Sequence, residues 1–349
     1  MTGASFTEQD GKVVVHTDQR LCIRCVLPEN FPGAYLETEE VCDYCRNEPQ
    51  RVDHSRAEVD RALSECLERT AGAAAGYDCV LLYSGGKDSS LSLVQLVKEH
   101  GLRVLALTLD NGFLAKVTAA NMSSVLDNVG ADHIVLRPQK RVMHGVYRSA
   151  LTSSFTAETV KYSTAACGSC IGMVFLAGMR TAASYGIPLL AGGWTPGQLT
   201  NSAFVPASFL REVVARNLDP VRATMPTLNN DLDTWMGDPG DLPVGLLNPL
   251  YATDYTEAGA LRVLGQYGWR APRDTDSCST NCRLNGLLIV DHIRKFGYHP
   301  YVYEMAHHVR IGAMTRDDAL LKLRNVNLRT AAVGAVAVEL GIPSPLRTS

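Results

Sequence analysis

The chain has no apolar run approaching the roughly 18 residues of a membrane span, and its start, Met1-Thr2-Gly3-Ala4-Ser5, lacks the charged and apolar regions of a signal peptide. A cytoplasmic protein with no membrane partner is expected. It also lacks any Lys/Arg cluster. With 33 basic and 36 acidic residues and a net charge of -3, it offers no sign of the basic face carried by enzymes acting on tRNA or DNA. A small-molecule substrate is therefore expected in preference to nucleic acid. What is present is ordinary for a globular protein: 349 residues, 46% hydrophobic and 20% charged, enough for two domains and a large core. Ten cysteines in such a compartment point to metal binding or catalysis rather than disulfides.

The organising stretch is Val80-Leu81-Leu82-Tyr83-Ser84-Gly85-Gly86-Lys87-Asp88-Ser89-Ser90, which runs into the periodic Leu91-Ser92-Leu93-Val94-Gln95-Leu96-Val97. An apolar run that breaks at a glycine pair and resumes at spacings of three and four predicts strand, tight turn and helix. The turn then lies at a helix N-terminus, where unpaired N–H groups and the positive dipole end suit an anion. Gly85 and Gly86 are expected to permit close backbone approach and positive φ. Ser84, Ser89 and Ser90 add hydroxyl donors, and Lys87 adds positive charge. Phosphate or pyrophosphate is the natural ligand. The common nucleotide loop needs a hydroxyl residue after its lysine, and Asp88 stands there instead.

This stretch resembles the PP-loop family of ATP pyrophosphatases, whose signature is Ser-Gly-Gly-x-Asp-Ser at the end of the first strand. The resemblance implies a doubly wound parallel α/β fold and cleavage of ATP between its α and β phosphates. A substrate oxygen attacks the α-phosphate, pyrophosphate leaves into the loop, and a nitrogen or sulfur nucleophile displaces AMP. Lys87 and the loop N–H groups would stabilise the leaving pyrophosphate together with Mg2+, and Asp88 would orient the loop or the metal.

Strand Arg103–Leu109 ends in Asp110-Asn111-Gly112-Phe113, and the carboxyl ends of strands in open α/β sheets face the ligand. Asp110 and Asn111 are thus candidates for adenosine or magnesium contact, with a simple turn as the alternative. A helix over 115–129, a strand at 133–136, a helix over 140–155 and a strand at 188–191 continue the alternation.

Cys22-Ile23-Arg24-Cys25 and Cys42-Asp43-Tyr44-Cys45, separated by sixteen residues, have the spacing of a four-cysteine zinc ribbon. A redox pair or iron is the alternative. Zn2+ here would be structural, because protein fills all four positions. Arg24-Cys25-Val26-Leu27-Pro28 with Val41-Cys42-Asp43-Tyr44-Cys45 also resembles the N-terminal ribbon of bacterial N-acetyl sugar amidotransferases, and PP-loop tRNA sulfurtransferases carry a ribbon in the same place. Residues 1–20 before it read as an extended or weakly ordered lead. After it, Val59, Ala62, Leu63, Cys66 and Leu67 share a helical face, with Cys66 and, in the first strand, Cys79 read as core.

A second cysteine set comprises Cys167 and Cys170, opening a helix, and Cys278 and Cys282 far along the chain. The helix dipole is expected to lower the thiol pKa of the first pair. Three cysteines from two distant segments resemble the iron–sulfur PP-loop sulfurtransferases, in which three thiolates hold a 4Fe-4S cluster. The third ligand would be Cys278 or Cys282. A persulfide or disulfide relay, a second zinc, and buried structural thiols are the alternatives. Trp194-Thr195-Pro196-Gly197-Gln198 departs from the tRNA sulfurtransferase pattern, and no C-terminal zinc finger follows Cys282.

The expected organisation is a ribbon over 1–50, a linker helix within 51–75, a PP-loop domain over 76–215 and a mostly helical substrate or interface region over 216–349. Residues 225–250 read as irregular, and helices are expected at 256–267, 283–297 and over 303–345. Thr315 with Asp318 forms a capping-box variant. His292, His299, His307 and His308 are expected on the surface or on helix faces. The expected activity is ATP-dependent sulfur transfer to a carbonyl or amide oxygen of a small metabolite, with amidation fed by a partner glutaminase as the alternative and a nucleotide-binding scaffold as a third reading. Implied partners are a sulfur donor or glutaminase and a second copy of the chain in a homodimer.

Overall fold

The computed structural model describes residues 4–36, 40–47, 56–69, 76–198, 202–225, 227, 230–231, 243, 245–252, 255–276, 278–324 and 328–346. Of the two readings of the lead, the extended one holds, as a hairpin: β1 (Ala4–Gln9) pairs antiparallel with β2 (Lys12–Thr17). Asp10 and Gly11, at φ 52° and 71°, make the two-residue turn whose twist suits a hairpin. A short β9 (Leu328–Arg329) from near the other end of the chain adds to β2.

After helices α1 (Asp43–Asn47) and α2 (Arg56–Arg69) comes the central sheet. Its strands are β3 (Cys79–Leu82), β4 (Val104–Leu109), β5 (Asp132–Leu136), β6 (Leu189–Ala191), β7 (Phe204–Pro206) and β8 (Gly245–Leu247). The spatial order is β5-β4-β3-β6-β8-β7, parallel throughout except for β7 at the edge. Strand β8 lies in the stretch expected to be irregular. Most of the rest of 225–250 falls outside the described residues, as do the side chains of Val59, Cys66 and Leu67.

Both faces of β3, β4 and β6 are covered, which is why these strands read as continuous apolar runs rather than alternating ones. Val80, Leu82, Leu105 and Leu107 face one core with α5 (Lys140–Thr152), α6 (Ala165–Tyr185) and α7 (Ala207–Thr224). Cys79, Leu81, Tyr83 and Ala106 face the other, with α3 (Lys87–Val94), α4 (Thr118–Val129) and α8 (Glu257–Gly265). Helix α6 is long and apolar enough to cross a membrane by length and composition, but 67% of its apolar window is buried inside the protein, as in a core helix.

The expected C-terminal helical stretch is three helices beyond α9 (Asn285–Phe296): α10 (Val302–Arg310), α11 (Arg316–Arg324) and α12 (Thr330–Leu340). Thr315 caps α11, accepting from Asp318 N at 3.1 Å and donating to Asp318 Oδ2 at 2.6 Å. Of the four histidines expected at the surface or on helix faces, His292, His307 and His308 lie on helices, and all four are buried, His292 and His307 at 1% exposure. Their helices are covered on more sides than sequence periodicity suggests, and burial pushes the rings of His292 and His299 down to about 3.

Candidate active site

The order of strands reverses at β3, so the carboxyl ends of β3 and β6 frame a crevice of the kind that holds ligands in open α/β sheets. The loop Tyr83–Gly86 fills one side and leads into α3. Gly85 takes φ 70°, and a Cβ there would fall 2.7 Å from Met122, so the turn needs glycine for both conformation and space. Gly86, expected to share that conformation, is extended at φ -74° and ψ 171°. Ser84 and Ser89 hydroxyls are joined at 3.0 Å. Ser90 departs from its expected role: its hydroxyl turns into the core toward Tyr83 OH at 3.3 Å, not toward the crevice.

Lys87 is buried and bonded to Asp88 Oδ1 at 2.5 Å and to the hydroxyl of Tyr255. Tyr255 in turn donates to Asp88 at 2.5 Å. Thr280 Oγ1 accepts from the Lys87 N–H at 2.9 Å, Asn281 donates to Ser84 O at 3.3 Å, and Trp269 Nε1 donates to Gly85 O at 3.1 Å. A Cβ on Gly193, just after β6, would lie 2.5 Å from Ser89 N and Cα, so two backbones meet without a side chain between them. Beyond it Thr195 and Gln198 donate to Glu304 Oε1 at 3.3 and 2.9 Å. Sequence reasoning missed Tyr255, Thr280 and Glu304. Tyr255 and Glu304 arrive from the C-terminal region with no motif to mark them; Thr280 was visible only as a polar residue between two cysteines.

Asp110 does not line the cavity beside this loop. It is committed to Arg137 at 2.5 Å and to the Gly112 N–H at 2.9 Å, the turn role left open by the sequence. Asn111 does line the cavity, but its Oδ1 accepts from Phe113 N at 2.8 Å and its Nδ2 points at two sulfurs, Cys282 at 3.6 Å and Cys170 at 3.9 Å.

Cys167, Cys170, Cys278 and Cys282 all line the cavity that holds Ser84, Gly86, Lys87, Asp88 and Ser89. Its volume is about 320 Å³, within the small-molecule range. Tyr147 OH donates to Cys170 at 3.4 Å, and Cys167 lies 3.7 Å from Asn285 Oδ1. Asp276 shapes the second segment by accepting from the N–H groups of Cys278 and Ser279 at 2.7 and 2.9 Å and from Asn285 Nδ2 at 2.9 Å. Cys282 thus joins the pair on α6, while Cys278 interacts electrostatically with Tyr301 and Lys322.

The expected drop in thiol pKa is reversed. Burial pushes Cys167 and Cys170 up and Cys282 to about 11, because desolvation of a thiolate outweighs the hydrogen bonds that favour it. A set of three thiols, none in a disulfide and each held up by burial, fits a group that brings its own positive charge.

Outside the residues that line this cavity, Cys22, Cys25, Cys42 and Cys45 bring their sulfurs within 4.8 Å of one another. The Cys22–Cys45 and Cys25–Cys42 separations are both 3.7 Å, matching the roughly 3.8 Å edge of a tetrahedron with metal–sulfur bonds of about 2.3 Å. Backbone N–H groups of Cys25, Leu27 and Cys42 point at Cys22 or Cys25 sulfur at 3.3–3.5 Å, supporting ionised thiolates.

No family model matches the chain. It is 25% identical over 130 residues to an uncharacterized protein of Methanocaldococcus jannaschii, a match covering 37% of this chain and 39% of that protein. Among solved structures it is similar to NMN synthetase from Francisella tularensis, at 17% identity and TM-score 0.28, covering 48% of this chain and 70% of that one. It is also similar to the U34-tRNA thiolase NcsA from Methanococcus maripaludis with its 4Fe-4S cluster, at 13% identity and TM-score 0.31, covering 71% and 72%. At these TM-scores the likenesses are partial, and the chemistry of the site rests on this chain's own side chains.

Proposed function

We propose that the chain is an ATP-dependent sulfurtransferase acting on a small metabolite. The observation that carries the reading is the convergence of Cys167, Cys170 and Cys282, from two distant segments, on the cavity that also holds the Ser84–Ser89 loop. A carbonyl or amide oxygen of the substrate attacks the α-phosphorus of ATP, and the bond to the β-phosphate oxygen breaks. Pyrophosphate leaves against the loop N–H groups and Lys87; Asp88 would hold Mg2+, which when bound would supply further positive charge to the leaving group. Sulfide then attacks the activated carbon and AMP departs with the oxygen. No change of oxidation state is needed.

Cys167, Cys170 and Cys282 would hold a 4Fe-4S cluster, which when bound supplies an open iron to carry sulfide. Asn111 and Tyr147 direct N–H and O–H donors at the sulfurs and so favour their thiolate form. The four-cysteine site near the N-terminus takes Zn2+ and is structural. Amidation by ammonia from a glutaminase partner would use the same ATP half but leaves the three cavity thiols without a task.

The test is metal and acid-labile sulfide analysis with a visible spectrum on protein purified without oxygen. Expected is about one zinc with about four iron and four sulfide per chain, the iron lost in Cys282→Ala and the zinc retained. Zinc without iron after attempted reconstitution would overturn sulfur transfer through a cluster.

A further inference from the structure

The cavity has a second polar end, on α7, that neither the loop nor the thiols use. Of the four charged residues lining it, Lys87 is neutralised by Asp88, and Glu304 accepts from Thr195 and Gln198. Arg216, on the exposed side of α7 at the cavity rim, has no counter-charge among the described residues. Beside it the carboxamide of Asn217, only 7% exposed, lines the cavity without a hydrogen bond to any described residue. A buried amide without a partner is costly unless something in the cavity completes it.

The neighbouring backbone is shaped to leave room for this amide. A Cβ on Gly168 would fall 2.7 Å from Asn217 Oδ1 and 3.3 Å from the Ser163 hydroxyl, which also has no partner among the described residues. Gly168 sits between Cys167 and Cys170 in α6. The Asn217 amide and the Ser163 hydroxyl therefore meet beside Gly168, the neighbour of Cys167 in α6, and Arg216 lines the same cavity.

We propose that Arg216, Asn217 and Ser163 form a carboxylate subsite, so that the substrate is a small acid whose carboxylate docks on α7 while its reacting carbonyl lies between thiols and loop. This rests on the reading of the cavity as an ATP-dependent active site. A planar guanidinium fork matches a carboxylate with two parallel hydrogen bonds, and the neutral Asn217 and Ser163 donors add direction without further charge. A dianionic phosphate is less well matched by this single cation, and the built phosphate site lies at the other end.

The probe is benzoate, a ring-sized carboxylate, followed by saturation-transfer NMR on the full chain, with benzamide and phenyl phosphate as controls. Benzoate is expected to bind, benzamide not, and affinity to fall about tenfold in Arg216→Gln, the loss of one charge-assisted pair. Asn217→Asp, near-isosteric but negative, should abolish binding, with circular dichroism confirming that both variants remain folded. Equal benzoate binding by wild type and Arg216→Gln overturns the proposal, as does Arg216-dependent binding of phenyl phosphate in preference to benzoate. MgATP binding, measured separately by calorimetry, should be the same in wild type and Arg216→Gln. Its absence from the wild type would refute the ATP-dependent reading and leave the carboxylate result to be judged by itself.

Discussion

Glu304 is a carboxyl in the crevice whose charge state is set by its surroundings. Burial, and then the nearby Asp88 carboxylate, push it from 4.5 to about 7. A carboxyl raised in the folded state contributes stability that is fully present below its unfolded value and lost as pH rises through the folded one. Stability should therefore decline between about pH 4.5 and 7, by on the order of 1–3 kcal/mol before screening by solvent in the cavity. Glu304→Gln, which keeps an acceptor for Thr195 and Gln198, should flatten that segment of a denaturant-midpoint profile; an unchanged slope would place the titration elsewhere. No single residue in the sequence pointed to this role, because Glu304 is one more acidic residue on an amphipathic helix until α10 is seen lying against the loop. Lys87 and Asp88, by contrast, were legible because their chemistry follows from a contiguous turn.

At the scale of elements, the crevice depends on how closely the end of β6 approaches the start of α3. Gly193→Ala would put a methyl 2.5 Å from Ser89 backbone, which cannot rotate away as a side chain could. The expected cost is roughly 1–3 kcal/mol of stability, together with weakened ATP binding as the loop is displaced. Calorimetry on a variant that still melts cooperatively checks this, and unaltered ATP affinity would show that the contact does not position the loop. The alternation of short apolar runs with helical periodicity made β3 to β6 readable, since β3, β4 and β6 are buried along their whole length and the edge strand β5 keeps an apolar run at Ile134-Val135-Leu136. Two elements were hidden for different reasons. Strand β8 is only three residues long in a Pro- and Gly-rich stretch, and its identity comes from pairing with β6 and β7. The β1–β2 hairpin carried a visible signal in Asp10-Gly11, but it was overlooked because the flanking strands are largely polar on one face.

Across the whole molecule, the two ends of the chain close on each other. The four-cysteine module packs its Phe31 against Tyr298 and Tyr303, at ring separations of 5.2 and 5.6 Å, and shares a core with Met305 and Ala306 of α10. Arg316 donates from Nε to Cys25 O at 2.8 Å and from its guanidinium to Cys22 O at 3.3 Å, tying the knuckle backbone to the start of α11. Helix α10 carries Glu304 and His308 to the crevice, and His308 lies 6.1 Å from the Tyr255 ring that bonds Lys87 and Asp88. An ion in the four-cysteine site is thus mechanically upstream of the phosphate loop, although it shares no ligand with it. Stripping that ion with a chelator, or introducing Cys42→Ser, should loosen the shared core and cost on the order of a few kcal/mol. ATP affinity should fall with it, because α10 no longer holds its side of the crevice. Thermal melts and ATP calorimetry on the same samples, with zinc returned to the chelated wild type as the reversal, separate the possibilities. Recovery of both signals on adding zinc supports the coupling, whereas a lower melting temperature with unchanged ATP affinity would make the module a stabilising clasp that does not reach the site.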